Sequence, residues 1–339
     1  MSRTTIWSLT LFLLLGGVSF AQETTAVISG TVTDESGGII PGVSVETTNV
    51  DTGITRMATT GDEGRYQLPN LSVGNYEVQA SLPGFQTGVR TGITLTIGRE
   101  ALVDFALRVG EISQRVTVTG EAPLVETTRS VLTDLVGRQQ IEDLPLNGRS
   151  YTQLALLQPG VTTLGSQNFS SISGGGAKLS MAGARSTNTY FYLDGTEVKD
   201  SFGHTPGSAA GQTLGVDTIQ EFSVVVSTFS AEFGGSGGVI SSVTKSGTNQ
   251  LHGSLFEYHR NSALDARNFY DRGNPPPFKR NQFGFTLGGP IVSDKTFFFG
   301  SYEGLRERLS TTRITNTPSL DVRNGTFPIT VLPAVQQIH

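Results

Sequence analysis

From Ala26 to Val109 apolar and polar residues alternate in short runs: AVISGTV, VSVETTN, ITRMATT, RYQL, GNYEVQASL, GITLTI and ALVDFAL. Turn signals separate them at Asp34 to Gly38, Asp51-Thr52-Gly53, Gly61-Asp62-Glu63-Gly64 and Pro83-Gly84-Phe85. Val43, Val45 and Thr47 show the period of two that half-buried strands require, and about seven such strands make a small sandwich. Residues 24–109 are therefore expected to form an all-β sandwich.

From residue 110 to 247 the pattern changes. Ile141, Leu144 and Leu146, then Tyr151, Leu154, Leu156 and Leu157, suit short amphipathic helices broken at Pro145 and Pro159. Strands follow at TYFYLDGTEV, IQEFSVVVSTF and GGVISSVTKSG, among many glycines. Short helices, strands and close-packing glycines predict a compact α+β unit.

After Thr248 the chain becomes aromatic, with nine of its 19 phenylalanines. Phe256 and Tyr258 alternate with Leu255, Glu257 and His259, and Phe283, Phe285 and Leu287 with Gln282, Gly284 and Thr286. One apolar face and one polar or small face suit a lipid-facing barrel strand, although soluble sandwich strands share the period.

The N-terminus sets the compartment. Arg3, the apolar run Ile6 to Val18 and the small-x-small Ser19-Phe20-Ala21 read as a secretory signal peptide over 1–21. The apolar run is shorter than the roughly 20 residues a spanning helix needs. There is no cysteine, so the exported domains rely on apolar cores or closed sheets. Twenty-four Lys and Arg against 29 Asp and Glu leave a net charge of -5, which offers nothing to a nucleic-acid backbone.

Candidate chemistry is sparse. Gly234-Gly235-Ser236-Gly237-Gly238 matches a hydrolase nucleophile elbow, but β-branched VISSV follows where a helix is required, so it reads as a tight bend. Lys245-Ser246 lacks the glycines of a phosphate-binding loop, and Gly174-Gly175-Gly176 lacks a strand-to-helix setting. His252 and His259 are seven apart, the wrong spacing for a helical metal pair. Asp34, Asp51, Asp62 and Glu63 sit in turns where acids beside glycine are expected without calcium. No catalytic, cofactor or metal residue is assigned, and the chain is not read as an enzyme.

Three stretches carry resemblances. SGTVTD, PGVSVETTN and TTGDEGRYQLPNLSVGNYEVQASLPGFQT resemble a carboxypeptidase regulatory-like domain, which implies a transthyretin-like sandwich of accessory function. LPLNGRSYTQL, MAGARSTNTYFYLDGTEV and the stretch from Val216 to Thr248 resemble the plug of Oar-like TonB-dependent receptors. KRNQFGFTLGGPI and DKTFFFGSYEGLRERL resemble the opening strands of such a receptor's barrel.

The resemblance implies a mainly β chain in the bacterial outer membrane: signal peptide, sandwich at 24–109, plug at 110–247, and the first strands of a transmembrane barrel at 248–339. Plugged transporters use about 22 strands of around ten residues, so the chain is expected to be an N-terminal fragment. The implied activity is energised uptake of a large or scarce ligand of unknown identity, with outer-membrane lipid around the barrel. Plug loops at Asn168 to Lys178 and Asp200 to Gly211 are candidates to face that ligand. Arg115, Val116, Thr117, Val118 and Thr119 resemble a TonB box, which would pair with a TonB strand by β-augmentation on the periplasmic side; the same run also suits a last sandwich strand or a linker. Simpler receptors lack a sandwich before the box, which leaves open whether TonB competes with that domain. Two rivals remain at this stage: a soluble adhesion or carbohydrate-binding protein, and a SusC-like glycan importer working beside a surface lipoprotein.

Overall fold

The seven alternating runs of the first segment become eight strands in the computed structural model: β1 (Ala26–Asp34), β2 (Ser44–Asn49), β3 (Thr55–Thr59), β4 (Arg65–Leu71), β5 (Gly74–Ser81), β6 (Thr87–Leu95), β7 (Glu100–Leu102) and β8 (Phe105–Leu107). The structure describes residues 24–110, 115–119, 132–144, 146, 149–163, 178–198, 203–206, 214–227, 237–266, 277–309 and 319–326. The expected signal peptide lies outside them.

One sheet is centred on β1, with β4 antiparallel to it and β7 and β8 parallel. The other runs β3-β2-β5-β6, all antiparallel. Val43, Val45 and Thr47 are all fully buried, as their period requires. Ile28 and Val32 from one sheet meet Val45, Val78 and Ile93 from the other in a single core.

The run ALVDFAL was expected as one strand and is two. The Asp104 carboxylate accepts the Thr31 N–H at 2.7 Å, taking the place of a ladder carbonyl between β7 and β8. Nearby, Val103 donates its N–H to Ser29 O at 2.8 Å, and its carbonyl accepts the Tyr66 hydroxyl at 2.6 Å. Gly30 allows this approach, since a Cβ there would stand 2.0 Å from Val103 O.

A ninth strand, β9 (Arg115–Thr119), continues the second sheet. It runs parallel to β6, with Thr87 opposite Arg115 and Thr91 opposite Thr119. The sheet order is then β3-β2-β5-β6-β9.

The following unit is built on β10 (Leu132–Val136), helix α1 (Arg138–Asp143), a 3₁₀ turn at Tyr151–Leu157, β11 (Val161–Thr163), β12 (Leu179–Met181), β13 (Tyr190–Leu193), β14 (Thr196–Glu197), β15 (Ile219–Ser227) and β16 (Val239–Thr244). Its main sheet has the order β10-β15-β16-β13-β14, with β13 parallel to β16. Asp194 and Gly195 both take positive φ, 49° and 77°, and close the β13–β14 hairpin in the two-residue turn that Asp-Gly favours. Ile141, Tyr151, Leu154, Phe222 and Ile240 pack in one core. Leu144 and Leu157, expected on apolar helix faces, are instead 39% and 68% exposed. Leu144 falls just past α1, where a residue before proline is driven out of helical backbone.

Three long strands follow, β17 (His252–Asn261), β18 (Phe278–Val292) and β19 (Thr296–Leu309), in the sheet order β17-β18-β19, and a one-turn helix, α2 (Leu320–Arg323), ends the described residues. On β18 the expected alternation holds: Gln282 and Thr286 are buried, while Phe285 and Leu287 are exposed. On β17 it does not: from Gly253 to Arg260 every residue but Phe256 is exposed. Ser254 hydrogen-bonds Thr286 on the buried face at 2.8 Å, so Phe256 lies on that face too, and Leu255 is 87% exposed. The physical reason is a cationic partner for the Phe256 ring, described below. The outer face of β18 and β19 carries an aromatic row, with Phe283 and Phe285 each about one ring diameter from Tyr302 (6.3 and 6.1 Å between centroids).

The described residues fall into two compact units, one running to Glu257 with Phe283–Leu305, the other comprising Tyr258–Gln282 and the residues from Arg306. Within the second, Arg280 pairs with Glu307 at 3.5 Å and His259 contacts Asn281 at 2.6 Å.

Gly30→Ala must push β1 away from a backbone carbonyl rather than a movable side chain, and should cost about 2–3 kcal/mol. Gly61→Ala, whose Cβ would meet nothing closer than 4.0 Å, is the matched control and should change stability by less than about 1 kcal/mol. Urea denaturation of the two variants beside the parent checks the difference.

Candidate functional site

Three seams bring chemistry-bearing residues together. The first is β9. The structure places all five residues of the expected box, Arg115 to Thr119, on extended backbone at the margin of the sandwich sheet, with β6 as partner. Sheet margins are where an added strand finds unpaired N–H and C=O groups.

The second seam centres on Arg149, on the turn before the 3₁₀ segment. Its guanidinium bonds the Asp217 carboxylate, forms an ion pair with Glu303 of β19 at 3.4 Å, and lies 4.0 Å from the centre of the Phe256 ring on β17. All three charged side chains are largely buried, at 12% exposure for Arg149, 20% for Asp217 and 9% for Glu303. Gly215 makes room for Glu303, because a Cβ there would stand 1.6 Å from its Oε2. The unit built on β10 to β16 is thus tied to β17 and β19 by one cation, two carboxylates and a ring. A planar guanidinium suits this, since it can bond and stack at once.

The third seam joins the sandwich to the rest. Ile97, just past β6, donates its N–H to Glu221 Oε1 on β15 at 2.6 Å. Asn249 donates its N–H to Asp51 O at 2.9 Å, and its side chain bonds Asp294 at 2.8 Å in the short turn between β18 and β19. Gly53 packs on the same turn, its Cβ position 2.2 Å from Asp294 Oδ1. Burial pushes the Glu221 carboxyl up to about 7, with the Ile97 amide pulling it back down.

The remaining sequence candidates are local. Asp34 Oδ1 accepts the N–H groups of Ser36 and Gly38, each at 2.8 Å, and these bonds with the Ser36 hydroxyl hold its carboxyl below the usual range. It is a turn cap. His252 contacts Gln250 O at 2.9 Å and His259 lies elsewhere in the chain's second unit. Of the five-residue glycine motif, Gly237 and Gly238 are described. Cβ atoms there would stand 2.7 Å from Asn188 O and 2.6 Å from Met181 Sδ, in keeping with a close-packed bend. Gly174-Gly175-Gly176 and most of both candidate ligand loops lie outside the described residues.

Sequence reasoning missed Arg149, Glu221 and Glu303. The first sits within LPLNGRSYTQL without a role, and its partners are 68 and 154 positions away, too far for any spacing rule. Glu221 left one trace, the one charged residue in the strand IQEFSVVVS.

Arg149→Met should strand two buried carboxylates at a cost of about 3 kcal/mol, which corresponds to roughly a hundredfold rise in the open population of the plug. Native-state proteolysis of the full-length protein reads that population. Adding Asp217→Asn and Glu303→Gln should recover part of the loss.

Three family models match the chain in order: carboxypeptidase regulatory-like domain over 27–108, TonB-dependent receptor plug domain over 123–239, and outer membrane beta barrel domain over 243–338. The TonB-dependent transporter Oar of Myxococcus xanthus is 28% identical over 333 residues, covering 93% of this chain and 30% of that protein. The chain therefore spans less than a third of that relative's length. Among solved structures, the siderophore receptor PirA from Acinetobacter baumannii is 21% identical with a TM-score of 0.38, over 51% of this chain and 24% of that one. The dioxygenase domain of a dioxygenase carbohydrate-binding protein fusion from Streptomyces sp. SirexAA-E is 19% identical with a TM-score of 0.22, over 27% of this chain and 85% of that one. The chain thus carries, in this order, a carboxypeptidase regulatory-like domain, a TonB-dependent receptor plug domain and an outer membrane beta barrel domain, is similar along most of its length to an Oar-type transporter, and is an outer-membrane protein.

Proposed function

We propose that the chain works within a TonB-dependent outer-membrane transporter that takes up a large or scarce ligand, a transporter rather than an enzyme. The observation that carries this reading is the Arg149 seam: a plug residue paired with Glu303 and stacked on Phe256, both on barrel strands. A plug held by ionic contacts to its wall is a plug that work can move. In this reading 110–247 is the plug, 24–109 the accessory sandwich and 248–339 the beginning of the wall.

Energy enters at Arg115 to Thr119. A TonB-type strand adds to β9 along the edge not occupied by β6, through backbone bonds that need only an extended run at a sheet margin. From β9 the chain leads to β10, itself the last strand of the plug sheet beside β15. Tension on the box is thereby applied to an edge strand of the plug. The sandwich and the box face the periplasm, because the β18–β19 connection on which Gly53 packs is short, as periplasmic barrel turns are.

Deletion of Val116 to Thr119 from the full-length receptor should lower its affinity for the purified periplasmic domain of the cognate TonB-type protein by at least about tenfold. Cysteines introduced singly at Arg115 to Thr119 should cross-link to cysteines in that domain in a register-dependent pattern. Unchanged affinity after the deletion, with no cross-link at any of the five positions, would remove the box from these residues.

A further inference from the structure

Glu221 is out of keeping with its strand. Its neighbours Phe222 and Val224 point into the plug core, while Glu221 lies on the opposite face, across from Val243 and beside Ser223 and Ser241. It is nonetheless buried, at 7% exposure. Its partner is the N–H of Ile97, a backbone group of another domain, 124 positions away in the chain.

The charged groups on the surrounding elements are committed elsewhere. Lys245, just past β16, bonds Glu142 of α1 at 2.7 Å, and Arg138 bonds the same carboxylate at 2.9 Å. Asp217 is held by Arg149, and Asp194 accepts from Thr244. On the sandwich side, the Arg99 guanidinium bonds Thr94 O and Glu100 accepts the Ser29 hydroxyl at 3.0 Å. Among the described residues none of these charges shifts Glu221; burial and the Ile97 amide do.

We propose that the Glu221–Ile97 contact is a releasable latch: the neutral carboxyl of Glu221 holds the sandwich turn against the plug, and its ionisation lets the turn go. A neutral acid meets the Ile97 N–H with its carbonyl oxygen and pays no charge penalty. An ionised one is buried with a single N–H donor, which is poorer than its hydration in water. The sign follows from the same geometry. The docked carboxyl titrates at about 7 against an ordinary 4.5, so docking is strongest below about 4.5 and is lost as pH rises through about 7. Ile97 lies just beyond the end of β6, the strand that holds β9, so releasing the latch loosens the element that carries the sheet margin. The latch stands whether or not the protein transports a ligand.

The present chain contains no cysteine, so introduced ones report cleanly. In the full-length receptor, made otherwise cysteine-free, Asp62→Cys in an exposed sandwich turn and Gln139→Cys on the exposed side of α1 would carry spin labels for double electron–electron resonance. At pH 5.5 one narrow distance is expected. At pH 8.5 a second, broad population should grow, raising the undocked-to-docked ratio at least about tenfold. Glu221→Gln keeps the acceptor oxygen without the charge and should show the narrow distance at both pH values. The proposal is overturned if the parent distribution is the same at both, a result that needs no substitution, or if Glu221→Gln retains the parent's pH response.

Discussion

The joints of this molecule are made from backbone groups that its sheets leave over. A sheet satisfies its interior N–H and C=O groups but not those at its margins and just beyond its strand ends, and each such group must find a partner or water. Here the leftover groups find other domains. Ile97 N–H goes to Glu221, Asn249 N–H goes to Asp51 O, and the margin of β6 is taken by β9, a strand that follows the sandwich proper. Inside the sandwich the same demand is met by Asp104, whose carboxylate substitutes for a carbonyl and splits one strand into two. The sandwich, plug and barrel strands are thus continuous in hydrogen bonding as well as in sequence.

The seams differ in how permanent they are. Arg149 faces two carboxylates and stacks on a ring; breaking it strands buried charge whichever partner leaves. Glu221 has one neutral donor and no cation among the described residues, so its bond depends on a proton. In the transport reading proposed above, the plug has to stay seated while the parts on the sandwich side rearrange. A permanent ionic seam toward the wall and a labile one toward the sandwich divide those tasks.

Much of the fold was legible because alternation follows directly from burial on one side. Val43, Val45 and Thr47 announce their strand by period alone, and Asp194-Gly195 announces its hairpin by the positive φ that both residues tolerate. The failures have equally plain causes. Phe256 was placed by period alone on the apolar face of a lipid-facing strand; its ring is instead turned to Arg149, 107 positions earlier, which supplies a cation. Arg115 to Thr119 was readable as a strand but not as β6's parallel partner, since parallel pairing leaves no turn signature between the strands. The residues that form the seams were the least legible of all, because each is defined by a partner that only the folded chain brings near.

The account rests most heavily on β9 being held in the sandwich sheet in the resting protein. Amide hydrogen exchange of the full-length receptor in outer-membrane vesicles, resolved at 115–119 and 87–91, tests this directly. Val116 to Thr119 should exchange slowly, in step with Thr87 to Thr91 of β6, and Ile97 should be protected with them. Exchange of 115–119 at the rate of an unstructured peptide, with β6 protected only by β5, would contradict it.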